Sequence, residues 1–285
     1  MSHQINPISP IINSDELMEI RTNKSLVLVD ARSGKNAKSD YAEKHLNGAK
    51  HVDLNLQLSH IKDAANGGRH PLPPINQFAK TLAELGISEE SHVVVYDDTN
   101  GMNAAARFWW MLRSIGHEKV QVVNGGFQTA IKNGFPANDK EVIPNKTEPY
   151  TTDRWLLPMA TIDEVEAHSE KADFAVIDVR ESYRYNGESE PIDPVAGHIP
   201  GAINVPLANN LDENGLFRSP EDIRKLYQSI LQNKNADRTI IHCGSGITAC
   251  HTILAMDYAG LEIPKLYVGS WSEWCRNDKE IVVEE

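Results

Sequence analysis

Short apolar runs recur along the chain, each closed by a polar residue and separated by stretches with helical patterning. Leu26-Val27-Leu28-Val29 leads into Asp30-Ala31-Arg32, and Phe174-Ala175-Val176-Ile177 into Asp178-Val179-Arg180. Val93-Val94-Val95-Tyr96 ends at Asp97, and Ile240-Ile241-His242 at Cys243. Runs this short and this rich in β-branched residues predict buried strands. Between them, Phe78 to Leu85 predicts a helix stopped by Gly86, and Ala104 to Ile115 one stopped by Gly116. Pro220 to Leu231 predicts a helix with Ser219 as N-cap and Pro220 at its first position, and Thr248 to Tyr258 another. Strand and helix in alternation predict parallel strands joined by crossover helices, an α/β architecture.

The pattern occurs twice. Lys44-His45-Leu46-Asn47-Gly48-Ala49 has its partner in Gly197-His198-Ile199-Pro200-Gly201-Ala202, and Val122-Val123-Asn124-Gly125-Gly126-Phe127 in Leu266-Tyr267-Val268-Gly269-Ser270-Trp271. With the two Asp-x-Arg blocks and the two strands ending at Asp97 and Cys243, four blocks repeat in the same order, the mark of a duplication. A chain of 285 residues has room for two domains with a core each. Residues 134–153 are rich in Pro, Asn, Lys and Thr. The expected division is 1–135, a linker at 136–153, and 154–285.

Composition narrows the function classes. Hydrophobic residues are 40% and charged residues 24%, which excludes a disordered or fibrous chain. No apolar stretch approaches membrane-spanning length. Met1 to Asp15 carries no basic or apolar block of a targeting signal, so a cytoplasmic location is expected. A net charge of −12 argues against nucleic-acid binding, yet leaves open a locally positive cleft for a small anion. Three cysteines, Cys243, Cys250 and Cys275, are too few for a disulfide framework and suit a reducing compartment with one reactive thiol.

The candidate chemistry lies where the strand Ile240-Ile241-His242 meets Cys243-Gly244-Ser245-Gly246-Ile247-Thr248 and a helix follows. Such a loop turns backbone N–H groups inward and aims a helix N-terminus at its contents. A cysteine there sits in a positive field that favours its thiolate. The two glycines let the chain curl, and Ser245 and Thr248 offer hydroxyls. The chemistry implied is a thiolate nucleophile whose covalent intermediate the loop stabilises. Cys250 and Cys275 read as packing residues, as does Phe108-Trp109-Trp110. A zinc site from His242, Cys243, Cys250 and His251 lacks ligand spacing, so no metal or organic cofactor is expected. A cysteine phosphatase would need an arginine where Ala249 stands.

Two tandem Asp-x-Arg and His-x-x-Gly-Ala halves, with the cysteine loop in the second alone, resemble the two-domain sulfurtransferases of the rhodanese superfamily. The loop itself is similar to that of the 3-mercaptopyruvate sulfurtransferases. The resemblance implies two tandem rhodanese-like domains, each a parallel sheet flanked by helices, the second catalytic. Asp97 stands in place of the cysteine in the first half, which makes that half a non-catalytic cover.

The resemblance also implies roles. Cys243 is the nucleophile, and Ser245 with His70, contributed by the first half, assists proton transfer. The position of the acid in such a triad is held by Asn55, an amide, which leaves the triad incomplete, with Asp53 two residues away as a substitute. Arg184 is expected to bind substrate; Arg180, more often structural in the family and paired with a carboxylate at the Asp-x-Arg corner, is kept as a candidate further contact, and Gly244, Gly246, Ile247 and Thr248 line the donor site. Thiosulfate-using members carry basic residues at the loop positions held here by Gly244 and Ser245. A neutral loop therefore favours 3-mercaptopyruvate, although a second arginine expected nine positions after Arg184 is replaced by Asp193. The expected activity is sulfur transfer from a small anionic donor to cyanide or a thiol acceptor such as thioredoxin or a small thiol, through a persulfide on Cys243. The alternatives are thiosulfate:cyanide sulfurtransferase and, from a non-enzyme class, a persulfide carrier or thiol-sensing module.

Overall fold

The computed structural model describes residues 8–284. Met1 to Pro7, which open the stretch expected to lack a targeting signal, lie outside them. Two five-stranded sheets carry the fold, and every strand pair in them is parallel. The first runs Ile11–Ile12, Val120–Val123, His92–Tyr96, Leu26–Asp30, Lys50–His51. The second runs Met159–Ala160, Lys265–Tyr267, Thr239–His242, Ala175–Asp178, Ile203–Asn204, the same order built from the duplicated blocks.

The strands are buried on both faces, which is why their residues are apolar at successive positions. Leu28 and Val94 of the first sheet face an outer cluster with Leu17 and Ala130, from helices Ser14–Ile20 and Gly126–Lys132. Val27, Val29, Val93 and Val95 face the other way, towards helices Ile75–Glu84 and Ala104–Arg113. That inner core continues without a break into the second half, through Ile253 and Leu254 of helix Ala249–Tyr258 to Ile177, Ile241 and Leu266. Helices Ala104–Arg113 and Ala249–Tyr258 pack against each other, each being the helix that follows its half's loop. Trp109 and Trp110 are fully buried here.

The repeated motifs have a shared physical basis. At the end of its strand Asp30 takes a forked contact from Arg32, whose Nη2 also donates to the Lys44 carbonyl, 2.7 Å. Asp178 and Arg180 repeat the arrangement, with the Gly197 carbonyl as the third partner, 2.7 Å. Arg32 stacks on Phe127 and Arg180 on Trp271. His45 and His198 each stack on a tyrosine, Tyr41 and Tyr185, and bond its carbonyl. The motif thus pins a histidine turn to the strand end through a buried, fully bonded ion pair.

Some boundaries differ from the sequence pattern. The third helix starts at Ile75, earlier than Phe78, and the helix from Ala104 ends at Arg113, because the chain turns through Ser114 to Gly116. The stretch read as a linker holds close to the first half: Ala137–Asn138 pairs antiparallel with His45–Leu46, and the Thr147 hydroxyl donates to the Ile87 carbonyl. No helix among the described residues is long and apolar enough to cross a membrane.

Candidate active site

Strand Thr239–His242, buried at every position, delivers Cys243 to the sheet's carboxyl edge, and helix Ala249–Tyr258 starts six residues later. Cys243 is 1% exposed. Its loop is held from behind by the turn at Ser270. The Cys243 N–H donates to Ser270 Oγ at 3.1 Å, and the Cys243 and Gly244 carbonyls accept from the N–H groups of Trp271 and Ser272 at 3.0 and 2.8 Å. Gly246 has φ +72°, and a Cβ there would stand 2.3 Å from the Val268 carbonyl oxygen, so only glycine lets the loop close against that strand end. Ile247 anchors the loop in the inner core. Among the described residues the N–H groups of Gly244 to Thr248 and the Thr248 hydroxyl have no protein acceptor or partner.

The first half shows what such a loop can hold. Asp97 occupies the place of Cys243, and its carboxylate accepts the backbone N–H groups of Thr99, Gly101, Asn103 and Ala105 at 2.8–3.2 Å. Burial pushes its pKa up and these four donors pull it back. The duplicated loop is an anion cradle already filled by its own side chain.

Gly67, Gly68 and Arg69 of the first half are fastened to the turn after Val268 in the second. Gly68 lies so close to Gly269 that a Cβ would come within 2.3 Å of its carbonyl oxygen. Gly67 N–H donates to Glu273, and Arg69 N–H to Ser272 Oγ, 2.8 Å. This stitching sets His70 over the loop, with Nδ1 2.9 Å from Ser245 Oγ. Burial, then the charges of Arg69 and Arg107, push the His70 pKa down to about 4. The imidazole is therefore neutral at neutral pH, whichever ring nitrogen carries the proton.

Neither Asp53 nor Asn55 reaches His70. Asp53 caps its own turn, accepting from the N–H groups of Asn55 and Leu56 at 2.8 and 2.9 Å, and Asn55 is exposed. Among the described residues no carboxylate bonds the His70 ring, so the arrangement is a Ser245–His70 pair rather than a triad.

Arg184 stands at the mouth of the loop, forked onto Glu190 at 3.0 and 2.6 Å. Arg180, expected as a further substrate contact, is corrected by the geometry. Its side chain is 1% exposed and its donors go to Asp178, Gly197 and Glu190, which makes it part of the scaffold under the cleft. Asp193, 0% exposed at its side chain, binds Arg69 at 3.0 Å and Arg276 at 2.8 Å.

Two site residues escaped the sequence reading. Arg69 was visible only as the neighbour of His70. Arg107, a fully buried cation on helix Ala104–Arg113, donates to the carbonyls of Gly246 and His70 at 3.2 Å each. Its one signal was a charge at an otherwise apolar helix position. Cys250 lies beside it, its Sγ 3.3 Å from the Gly246 carbonyl, and burial pushes that thiol up to about 12. Cys275 is buried as well, and burial pushes it up to about 11. A cavity of about 620 Å³ lined by His92, Arg113, His117 and Tyr150 lies at the opposite strand ends of the first half, away from this chemistry.

Residues 13–132 and 161–277 each match the rhodanese-like domain. A probable 3-mercaptopyruvate sulfurtransferase of Pseudomonas aeruginosa is 37% identical over 245 residues, 85% of either chain. A thiosulfate sulfurtransferase of Rattus norvegicus is 38% identical over 251 residues, covering 84% of this chain and 80% of that protein. The solved 3-mercaptopyruvate sulfurtransferase from Leishmania major superposes with a TM-score of 0.79 at 30% identity, over 93% of this chain and 74% of that one. With both halves matched, the cysteine loop in the second and a self-filled counterpart in the first, the chain belongs to the two-domain sulfurtransferases of the rhodanese family.

Proposed function

We propose that the protein moves sulfur from 3-mercaptopyruvate to cyanide or a thiol through a persulfide on Cys243, releasing pyruvate. The observation that carries this reading is the Ser245–His70 pair beside the thiol, 2.9 Å between Oγ and Nδ1. Transfer of a sulfane sulfur from thiosulfate has no carbon to protonate, whereas release of pyruvate does. In the first half-reaction the Cys243 thiolate attacks the donor sulfur, an S–S bond forms, and the C–S bond breaks with its electron pair left on carbon. The donor's thiol proton ends on that carbon as the methyl group of pyruvate, and Ser245 with neutral His70 is placed to carry it. The Cys243 persulfide anion remains, facing the uncommitted N–H groups of the loop. In the second half-reaction cyanide or a thiol takes the outer sulfur and the thiolate returns, which is ping-pong chemistry. Three free thiols and a small-thiol or thioredoxin acceptor suit a reducing cytoplasm.

A second reading, thiosulfate as donor, is favoured by the thiosulfate sulfurtransferase relatives and by Asp193 at the expected arginine position. The deciding experiment compares kcat/KM for the two donors and follows the protein by mass spectrometry. The expected result is sustained pyruvate release and a gain of one sulfur atom at Cys243, lost in Cys243→Ser. Preference for thiosulfate selects the second reading, and a single turnover without catalysis would reduce the protein to a persulfide carrier.

A further inference from the structure

A keto-acid donor brings a carboxylate that one arginine holds poorly when that arginine is already shared. Arg184 gives Nε and Nη2 to Glu190, and among the described residues only its Nη1 is without an acceptor. The position from which a second clamp was expected is an acid, Asp193. That acid does not face the cleft, for its side chain is 0% exposed and its oxygens hold Arg69 and Arg276.

Arg69 comes from the first half and is fixed to the second at both ends. Its backbone N–H donates to Ser272 Oγ at 2.8 Å, and its Nε and Nη2 lie 3.0 and 3.4 Å from the two Asp193 oxygens. Among the described residues its Nη1 has no acceptor, and a quarter of its side chain is exposed, 25%. The point where a Cβ of Gly244 would stand lies 3.3 Å from Arg69 Nη2 and 3.5 and 3.6 Å from Arg184 Nη2 and Nη1. Two guanidinium groups, one from each half, thus converge over the second residue of the loop. Arg69, Arg184 and Arg276 face the carboxylates of Asp193 and Glu190, three positive charges against two negative, so the cleft keeps a positive excess in an acidic protein.

We infer that Arg69 and Arg184 together bind the donor's carboxylate, with Asp193 as the positioning residue that holds Arg69 in the cleft. The inference rests on the proposed 3-mercaptopyruvate reading and extends it to the subsite. Asp193 removes the arginine expected at its own position and replaces it with one from across the domain boundary. Without Asp193 the like charge of Arg184 would drive Arg69 towards solvent. The missing side chain of Gly244 is part of the same device, because a long basic side chain there would occupy the space where the two guanidinium groups meet. A carboxylate subsite and a basic loop are then alternative solutions, and this chain has the first. The subsite exists only while the two halves are docked, which gives the non-catalytic half a direct part in donor binding.

The test is steady-state kinetics of Arg69→Met and Asp193→Asn in the full chain, with thermal melts to verify folding. Loss of a charge-assisted contact to a carboxylate raises KM for 3-mercaptopyruvate roughly 10- to 100-fold in Arg69→Met with kcat spared, and Arg69→Lys recovers part of it. Asp193→Asn raises KM in the same direction and adds nothing when combined with Arg69→Met. Persulfide loaded on Cys243 from inorganic polysulfide, a donor without a carboxylate, is discharged to cyanide at the wild-type rate in Arg69→Met and Asp193→Asn. An unchanged KM in Arg69→Met overturns the inference while the proposed donor stands. A loss confined to kcat, or shared by the polysulfide-loaded reaction, assigns Arg69 to holding His70 and also overturns it. A wild-type enzyme that releases no pyruvate overturns both.

Discussion

His70 of the first half and Ser245 of the second share a hydrogen bond of 2.9 Å across the domain boundary, directly above the loop of Cys243. In the proposed mechanism this bond makes proton transfer depend on the docking of the two halves. If the two side chains act as one relay, His70→Ala lowers the rate of pyruvate release by roughly 10²-fold, and Ser245→Ala on that background costs little more. Rapid-mix measurement of the first half-reaction checks this. Fully additive losses would show two independent roles.

The state of that pair predicts a pH profile. His70 is pushed down to about 4 in the folded protein against about 6.5 in an unfolded chain. Between these values the unfolded chain binds a proton that the folded one refuses. Stability is therefore full above about 6.5, falls by up to about 1.4 kcal/mol per pH unit as acid is added, and levels off below about 4. Urea unfolding from pH 7 to 4 should show this slope reduced in His70→Gln. In the same range kcat/KM for the donor should show no step near 6.5, and a step there would place the imidazole in an ordinary aqueous setting.

Arg107 predicts an effect on the thiol from a residue in the other half. It is the buried cation beneath the loop, bonded to carbonyls and lying near Cys243 and Cys250. Arg107→Met keeps the volume and removes the charge. The Cys243 thiolate then loses part of its field, and the iodoacetamide alkylation rate at neutral pH should fall roughly tenfold. Folding changes less, since a buried charge replaced by an apolar group of similar size is often neutral. An unaltered alkylation rate would make Arg107 a scaffold residue only.

Donor choice should answer to the loop. Gly244→Arg with Ser245→Lys installs fixed cations and crowds Arg69 and Arg184, whose guanidinium groups already lie within 3.3–3.6 Å of the Gly244 Cβ position. The ratio of kcat/KM for thiosulfate over 3-mercaptopyruvate should rise by at least roughly tenfold. A constant ratio would mean that donor choice is set elsewhere.

Much of this protein is legible in its sequence, for reasons that are local. A strand buried on both faces writes itself as a continuous apolar run, so Leu26 to Asp30 and Thr239 to His242 could be read directly. The loop from Cys243 to Thr248 needs glycine at a left-handed turn, and the duplication repeats the Asp-x-Arg corner because each copy closes the same ion pair. The pairing of Arg180 with a carboxylate at the Asp-x-Arg corner was legible, but its candidate substrate contact was not excluded locally, because its partners Gly197 and Glu190 lie 17 and 10 positions away. The acid sought near Asn55 failed for a similar reason, since Asp53 is used by its own turn.

The amino-acid sequence by itself determined the two α/β halves and the loop that carries Cys243, because hydrophobic period, turn chemistry and helix capping act over a few neighbouring residues. Only the tertiary structure decided what surrounds that cysteine. Arg69, His70 and Arg107 reach Asp193, Ser245 and Gly246 across separations of 124 to 175 positions. Those contacts exist because burying the shared apolar faces of helices Ala104–Arg113 and Ala249–Tyr258 forces the halves together, and charge and hydrogen bonding then settle which side chains meet in the cleft.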